Sequence, residues 1–286
     1  MKIVLGSNIF GKYHRQDVAV DSWKHLMKKY PDFVQIKAVQ FEDEPTIEYD
    51  GIEVLPKLGR SSLDIVPHGT KKLPIVRDIL EEVYKSVETD ESVTHIGWVN
   101  SDCIITSLIH ELYNKIQPPA IAVSRLDIQD VNSFDELASG NVGVLRLEIA
   151  GYDFLVVTKE WWKKYNHLLQ DYILGISQFD QIFAGIISVT GGQIFNAPTF
   201  PILFHIRHEI QWKDDTPELQ WNTNLRKSTP FDHLCYNMMH YHLQKNLVNR
   251  KPFGAFMEPQ PGEKEFSQEF FNIFSLETEN HLRYNP

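Results

Sequence analysis

The segment that decides the fold is "THIGWVNSDCIIT", residues 94–106. Its first half is almost wholly apolar and ends at Val99, where the polar tripeptide Asn100-Ser101-Asp102 separates it from a second apolar run. Strands with no polar face are typical of sheets that helices cover on both sides. The segment is therefore predicted to contain a buried strand that ends in a carboxylate.

Strands and helices alternate along the chain on either side of this segment. The runs "KIVLG" (2–6), "FVQIKAVQF" (33–41) and "AIAVSRLDI" (120–128) contain many β-branched residues and predict strands. The run "KLPIVRDILEEVYKSV" (72–87) places apolar residues at helical spacing and predicts a helix just before the buried strand. This order predicts an α/β fold with a mostly parallel mixed sheet flanked by helices.

The chain is predicted to divide near residue 212. Residues 1–212 carry the alternating pattern, whereas residues 213–286 combine helical stretches with segments rich in Pro and Gly. We assign the first part to one domain and the second to a helical C-terminal extension packed on it. The polar residues 127–143 are predicted to form a long loop within the first part.

Composition and charge exclude several functional classes. The 286 residues include 28 Lys and Arg against 38 Asp and Glu, a net charge of -10 that argues against general binding to nucleic acids or anionic membranes. No apolar run reaches the length of about 18 residues that a membrane span needs, and the N-terminal apolar run is too short for a signal peptide. A cytoplasmic protein with reduced cysteines, Cys103 and Cys235, is expected.

Two interpretations of Asn100-Ser101-Asp102 follow from the residues themselves. In open α/β sheets, ligands bind beyond the carboxyl ends of the strands, and a carboxylate there can hold a divalent cation together with the phosphates of a nucleotide. Asn, Ser and Asp are also the residues that favour turns and helix N-caps, so the tripeptide can be a plain turn. The residues alone leave both interpretations open.

A series of short motifs, taken in order, resembles glycosyltransferases of the GT-A type across residues 1–212. The motifs are "KLPIVRDILEEVYK", "THIGWVNSDCIIT", "AVSRLDI", "GYDFLVVTKEWW", "ISQFDQIFAGII" and "FHIRHEIQW". Such enzymes use a nucleotide-sugar donor and carry an Asp-x-Asp-like metal motif after a buried strand. Here the motif reads Asn-Ser-Asp, which leaves Asp102 as its single carboxylate. The resemblance implies that residues 1–212 form a GT-A-like, nucleotide-sugar-binding catalytic domain that depends on Mn²⁺ or Mg²⁺.

The resemblance also implies a donor site. Asp102 would bind the metal, and Asn100 and Ser101 of the same motif would contact the donor, Asn100 through ribose or sugar hydroxyls. Arg77, on the helix before the buried strand, would face the donor; the alternative is an exposed residue that pairs with Glu81 one turn later. Arg125 would clamp the donor or orient Asp102, or form a surface salt bridge instead.

Two histidines in "FHIRHEIQW" are candidates to complete the metal site. GT-A enzymes often use a histidine late in the domain, and His205 and His208 follow an apolar run that predicts a strand. Either imidazole can reach a metal beside Asp102 if the chain turns there. The alternative is a pair of core or capping histidines.

Transfer with inversion needs a base that accepts the proton of the acceptor hydroxyl, whereas transfer with retention does not. Asp153 and Asp180 are the candidates for this catalytic base. Asp180 precedes an apolar helix, and burial beside Phe179 would raise its pKa toward neutrality. The alternatives are structural: Asp180 as an N-cap, and Asp153 as a hydrogen-bonded residue of an apolar strand.

The sequence thus predicts a hexosyl- or pentosyltransferase that moves a sugar from a nucleoside-diphosphate sugar to an acceptor hydroxyl. One alternative is a nucleotidyltransferase, although "LGSNIFGKY" (5–13) lacks the dense glycine loop of that class. Another is a non-catalytic glycan- or protein-binding module on the same fold. The sequence leaves the acceptor open: a growing glycan, a lipid-linked sugar, a protein or, less in keeping with the acidic charge, a modified nucleic-acid base.

Overall fold

The computed structural model describes residues 1–11, 13–129, 131–138, 144–195, 202–208 and 215–244. The strands are β1 (Lys2–Asn8), β2 (Val34–Val39), β3 (Glu53–Val54), β4 (Val93–Val99), β5 (Cys103–Ile105), β6 (Ala120–Ile128), β7 (Val144–Thr158), β8 (Gln193–Phe195) and β9 (Leu203–Ile206). The helices are α1 (His14–Lys29), α2 (Ser62–Ile65), α3 (Val76–Val87), α4 (Leu108–Lys115), α5 (Phe134–Ala138), α6 (Lys159–Tyr165), α7 (Phe179–Val189), α8 (Pro217–Ser228) and α9 (Pro230–Gln244), with a 3-10 turn at Asn166–Leu168.

The strands form one mixed sheet in the order β3-β2-β1-β4-β7-β6-β9-β5, and β8 also pairs with β6. β1 pairs in parallel with β2 and β4, and β6 pairs in parallel with β8 and β9. β7 runs antiparallel between β4 and β6, and β5 runs antiparallel to β9. The predicted α/β fold, with a mostly parallel mixed sheet flanked by helices, is confirmed.

The central strand β4 is apolar because helices cover both of its faces. Ile96 and Trp98 lie in a core cluster with residues of α3 and α7, whereas Val99 lies in a second cluster with residues of α1 and α4. Each large side chain buried in this way stabilises the fold by about 1.5–3 kcal/mol. Gly97 is required for a different reason, since a Cβ there would lie 2.2 Å from the carbonyl oxygen of Leu155 on β7.

The helix before β4 follows the apolar spacing seen in the sequence. Its buried residues are Val76, Ile79, Leu80, Val83, Tyr84 and Val87. They recur every three or four positions and so form one stripe that packs on β1 and β4. The polar segment 127–143 differs from the predicted long loop, because β6 extends to Ile128 and α5 lies within the segment; residues 130 and 139–143 lie outside the described residues.

Of the two helices after the sheet, α9 packs on α7 and α8 packs on α9. The Thr216 side chain caps α8 by accepting from the backbone N–H of Leu219 at 3.3 Å, and Pro217 occupies the first turn. α9 approaches α7 so closely that a Cβ on Gly185 would lie 2.7 Å from the Cβ of Cys235. The division proposed near residue 212 falls at 209–214, outside the described residues, as does 245–286, so the division stays a prediction.

None of the helices in the described ranges combines the length and the apolar character needed to cross a bilayer.

Candidate metal centre and neighbouring carboxylates

The tripeptide after β4 forms a tight turn. The side-chain oxygen of Asn100 accepts from the backbone N–H of Ser101 at 3.0 Å, and the backbone N–H of Cys103 donates to the carbonyl of Asn100 at 3.1 Å. The backbone N–H of Asn100 donates to the carbonyl of Asp153 at 3.1 Å, which ties the turn to β7. The turn interpretation is therefore right about the backbone, and the carboxylate of Asp102 is left to make other contacts.

Those contacts are with the two predicted histidines. β5 pairs with β9 so that Cys103 lies opposite His205, and this register places His205 beside Asp102. Asp102 Oδ2 lies 3.3 Å from His205 Nε2 and 3.1 Å from His208 Nε2. One ligand atom of each residue lies within 4.8 Å of the others. The fold thus brings together the three residues predicted as metal ligands.

A fourth residue, which the sequence analysis missed, holds the buried histidine in place. His205 Nδ1 lies 2.9 Å from Asp127 Oδ1, so the ring is fixed between two carboxylates. A carboxylate on the far nitrogen of a metal-binding histidine sets its tautomer and orientation. Asp127 lies in the apolar strand β6 and is buried. Its signal was a charged residue inside an apolar strand, the same feature that drew attention to Asp153.

Charge in the cluster keeps Asp102 ionised. Burial alone would raise the pKa of Asp102, but the positive charge and hydrogen bond of His205, followed by the hydrogen bond of His208, outweigh it and hold the pKa well below its usual value. Burial also acts to lower the pKa of His205, and the carboxylates of Asp102 and Asp127 outweigh it and raise the pKa to about 9. The cluster therefore combines a fixed negative charge with protons that a cation can displace.

The donor atoms suit a divalent cation. The cluster offers one carboxylate oxygen and two imidazole nitrogens, and the residue set leaves room for ligands from water or substrate. A set with imidazole nitrogens favours Mn²⁺ or another transition metal over Mg²⁺, which prefers oxygen ligands. Metal binding would replace the proton that the raised pKa keeps on His205 and so be favoured as pH rises.

Arg125 links this cluster to the other predicted aspartate. Its Nε atom lies 3.1 Å from Asp127 Oδ1, and its Nη1 atom donates to Asp153 Oδ2. Burial would lower the pKa of Arg125, but the charge of Asp153 outweighs it and raises the pKa above its usual value. The pair is largely buried, unlike the surface salt bridge considered as an alternative. Breaking such a pair by removing one partner leaves an uncompensated charge, which costs about 3–5 kcal/mol.

Asp180 lies in a contrasting environment in the first turn of α7. Its carboxylate accepts from the backbone N–H of Tyr152 at 3.3 Å. Burial, and then the negative charge of nearby Asp153, raise the pKa of Asp180 to about 7. The N-cap position of α7 is Gln178 and not Asp180, so the N-cap interpretation of Asp180 is wrong. The buried ring of Phe179 precedes it, as the sequence analysis required.

Arg77 lies in the first turn of α3. In the part of the chain that the structure describes, it forms no ion pair with Glu81, whose carboxylate accepts from Trp162 Nε1 at 3.2 Å. Its neighbour Asp78 pairs with Arg60 at 2.7 Å. The contact of Arg77 with a donor therefore stays a prediction, as do the donor contacts of Asn100 and Ser101.

Comparisons with known proteins find solved structures that are similar to this chain at low sequence identity and low TM-score. No protein-family model matches the chain, and no curated protein matches its sequence. A glycosyltransferase involved in the glycosylation of the major capsid of PBCV-1 is similar at 9% identity and a TM-score of 0.40, over 73% of this chain and 96% of that chain. The galactosyltransferase LgtC, in complex with donor and acceptor sugar analogues, is similar at 12% identity and a TM-score of 0.34, over 80% of this chain and 96% of that chain. These scores are low and do not by themselves establish a shared family or activity.

Proposed function

We propose that this protein is a metal-dependent glycosyltransferase that uses a nucleoside-diphosphate sugar. The observation that carries the proposal is the cluster of Asp102, His205 and His208, which lies where the central parallel strand β4 ends. In open α/β sheets that position is where nucleotides bind. The cluster supports binding of a diphosphate because a bound divalent cation would share its oxygens and neutralise their charge.

Asp180 supplies the proton acceptor in this proposal. With a pKa of about 7, its carboxylate is ionised in a large fraction of molecules near neutral pH and is still basic enough to accept a proton. Asp153 is the less suitable base, because Arg125 occupies one of its oxygens. Arg125 and Asp153 instead fix the strand from which the backbone N–H of Tyr152 reaches Asp180.

The transfer step in this proposal is a direct displacement at the anomeric carbon of the donor sugar. The acceptor hydroxyl gives its proton to Asp180 while its oxygen forms a bond to the anomeric carbon of the donor sugar. The bond from that carbon to the diphosphate breaks, and its electron pair leaves with the nucleoside diphosphate. A direct displacement of this kind inverts the configuration at the anomeric carbon. The His205 ring, held by Asp127, keeps the ligand cluster oriented throughout.

A thermal-shift panel of nucleoside diphosphates, with and without Mn²⁺, tests the proposal. A ligand that binds only the native state raises the melting temperature by mass action, so one base is expected to give a larger shift than the others, and only with Mn²⁺. The same panel on Asp102→Asn should lose the Mn²⁺-dependent part. Asp21→Asn, on the exposed face of α1, is the matched control. Equal shifts with all variants, or none with any diphosphate in the wild type, would contradict the proposal.

A further inference from the structure

Arg226 on α8 has no carboxylate partner among the residues that the structure describes. Its guanidinium lies 4.2 Å from the centre of the Tyr236 ring, which it covers. No ion pair joins Arg226 to an acid among the residues that the structure describes, and its Nε atom is buried without a hydrogen-bond partner. The acid next along the chain, Asp232, accepts a hydrogen bond from the Tyr172 hydroxyl at 2.7 Å instead. A stacked arginine keeps its planar set of N–H donors pre-oriented for a bidentate anion.

Contacts on α9 lead from Arg226 to Asp180. Tyr236 and His240 lie one turn apart on α9, with ring centres 4.3 Å apart. His240 Nε2 lies 3.0 Å from the side-chain oxygen of Gln181, the residue that follows Asp180 in α7. Burial raises the pKa of Tyr236, while the charge of Arg226 acts to lower it and the charge of Asp180 acts to raise it, so the Tyr236 hydroxyl lies near both the guanidinium and the proposed base.

A second buried polar atom without a partner among the described residues is the Tyr152 hydroxyl, on which the charge of Asp180 also acts. The Tyr152 side chain is fully buried and its hydroxyl has no hydrogen-bond partner, while the backbone N–H of this residue donates to Asp180. Buried polar groups in native proteins are nearly always hydrogen-bonded, and each exception calls for an explanation. A bound polar molecule in front of Asp180 would explain both this hydroxyl and the unpaired guanidinium.

No carboxylate of the described residues forms an ion pair with Arg226, although the charges of Asp232 and Arg226 both act on the Tyr172 hydroxyl. Burial, and then the positive charge of Arg226, lower the pKa of His240, so this imidazole adds no second positive charge and no counter-charge near neutral pH. In a chain with a net charge of -10, an arginine that is partly buried and unpaired beside a proposed base is a notable exception.

We infer that Arg226 binds an anionic group, a phosphate or a carboxylate, on the acceptor sugar whose hydroxyl reaches Asp180. The identification of the bound sugar as the acceptor rests on the proposed function, whereas the anion site itself does not. The metal cluster around Asp102 serves the donor diphosphate, and Arg226 lies on the side of Asp180 formed by α8 and α9. The acceptor class is thus a sugar phosphate or a uronic acid and not a neutral glycan.

Equilibrium binding of small sugars to the whole protein in EDTA tests the inference. The probes are glucose 6-phosphate, glucuronate and neutral glucose, with inorganic phosphate as a further arm, and the measurement is a calorimetric titration supported by melting temperatures. Wild type should bind at least one of the two anionic sugars more tightly than glucose and inorganic phosphate. The sugar that binds more tightly shows whether Arg226 prefers a phosphate or a carboxylate. Arg226→Gln should weaken that binding at least about tenfold, as expected for one charge-assisted contact.

Lys227→Gln is the matched control, since Lys227 is the exposed neighbour on α8 and should bind as the wild type does. Arg226→Lys keeps a positive charge but loses the planar set of donors, so it should bind more weakly than wild type and more tightly than Arg226→Gln. If Arg226→Gln fails to fold, the weaker binding of Arg226→Lys still tests the inference. The inference is overturned if neither anionic sugar outbinds glucose in the wild type, or if the Arg226 variants bind as the wild type does.

EDTA removes any metal, so the outcome does not depend on the cluster around Asp102. A protein that binds an anionic sugar through Arg226 but no nucleoside diphosphate with Mn²⁺ would keep this inference and lose the proposed function. The reverse result would keep the proposed function and lose the anionic acceptor.

Discussion

Asp102 and Asp180 are two carboxylates withdrawn from water whose surroundings act on them in opposite directions. Imidazoles surround Asp102 and hold its pKa below the usual value, whereas Asp180 is desolvated next to Asp153 and its pKa rises to about 7. A carboxylate that stays charged suits a cation, and one that titrates near neutrality suits proton transfer. The difference assigns the two residues to different steps, and each prediction below tests one side of it.

Loss of Asp102 should have the largest effect. Asp102→Ala removes the only carboxylate of the ligand cluster, so release of nucleoside diphosphate from a nucleotide sugar should fall to background. The turn itself should survive, because its hydrogen bonds use Asn100 and not the Asp102 carboxylate. His205 can then lose its proton, so no unpaired charge stays buried.

The melting temperature and circular dichroism of Asp102→Ala show whether the turn and the fold survive, and Asp21→Ala is the surface control. Near-normal turnover at saturating donor and metal would remove Asp102 from the metal site. If Asp102→Ala unfolds more easily but its folded fraction turns over normally, the role of Asp102 is confined to the turn.

Asp180→Asn should lower turnover by about 10²–10⁴-fold, the usual contribution of a general base. The amide keeps the size of the carboxylate and can still accept from the Tyr152 N–H, but it cannot take up a proton. Nucleotide affinity with Mn²⁺ should stay at the wild-type value, in contrast to Asp102→Ala. Single-turnover kinetics and nucleotide binding measure the two quantities separately.

Unaltered turnover in Asp180→Asn would move the base to Asp153 or indicate a retaining enzyme. Weaker donor binding with normal turnover would place Asp180 on the donor sugar instead. In the wild type, turnover should rise with pH through about 7 as Asp180 loses its proton, and this rise should be absent in Asp180→Asn.

Changes around the imidazoles should be smaller and confined to the metal side of the comparison. His208→Ala and His205→Ala should each raise the Mn²⁺ concentration that gives half-maximal activity. Asp127→Asn should raise it by about 10–100-fold through the orientation of His205, with little change at saturating Mn²⁺. His233→Ala, an exposed histidine on α9, is the control. If neither His208→Ala nor His205→Ala changes the Mn²⁺ concentration for half-maximal activity, neither histidine is a metal ligand.

A further expected effect is on stability. The pKa of Asp180 is about 7 in the folded protein against an ordinary 3.8, so between these values the folded state binds more protons than the unfolded state. The free energy of unfolding should therefore fall as pH rises toward 7, and the loss should be complete above it. Urea unfolding in EDTA should show Asp180→Asn gaining stability relative to wild type between about pH 5 and about pH 8. A difference that does not change with pH would mean that Asp180 is not desolvated.

The sequence predicted the sheet because its signals are local, and the resemblance to GT-A enzymes selected Asp102, His205 and His208 as candidate ligands at strand ends. An apolar run that stops at Asn100-Ser101-Asp102 marks a strand end, and His205 and His208 follow another such run. The pairings that join them are not local. The antiparallel contact of β6 with β7, which sets Arg125 against Asp153, joins residues 28 positions apart, and the contact of Asp127 with His205 joins residues 78 positions apart. Such contacts depend on strand order, which alternation of strands and helices does not specify.

Asp127 shows how far sequence reasoning could have gone. A buried charge costs several kcal/mol unless it is paired, so an aspartate inside an apolar strand predicts a partner. That rule was enough to select Asp153, and it applied equally to Asp127. Arg226 carried no such signal, because an arginine in a polar helix is ordinary until the fold shows that no described carboxylate forms an ion pair with it.

Direct detection of bound Mn²⁺ by electron paramagnetic resonance tests the metal site itself. Titration of the wild-type protein should show one tightly bound Mn²⁺ per chain, and Asp180→Asn should bind it equally well because its carboxylate lies outside the ligand cluster. Asp102→Ala and His208→Ala should leave the ion in solution at the same concentrations. A wild-type protein that binds no Mn²⁺, with or without a nucleoside diphosphate, or an Asp102→Ala variant that binds it as tightly as wild type, would contradict the metal-dependent function.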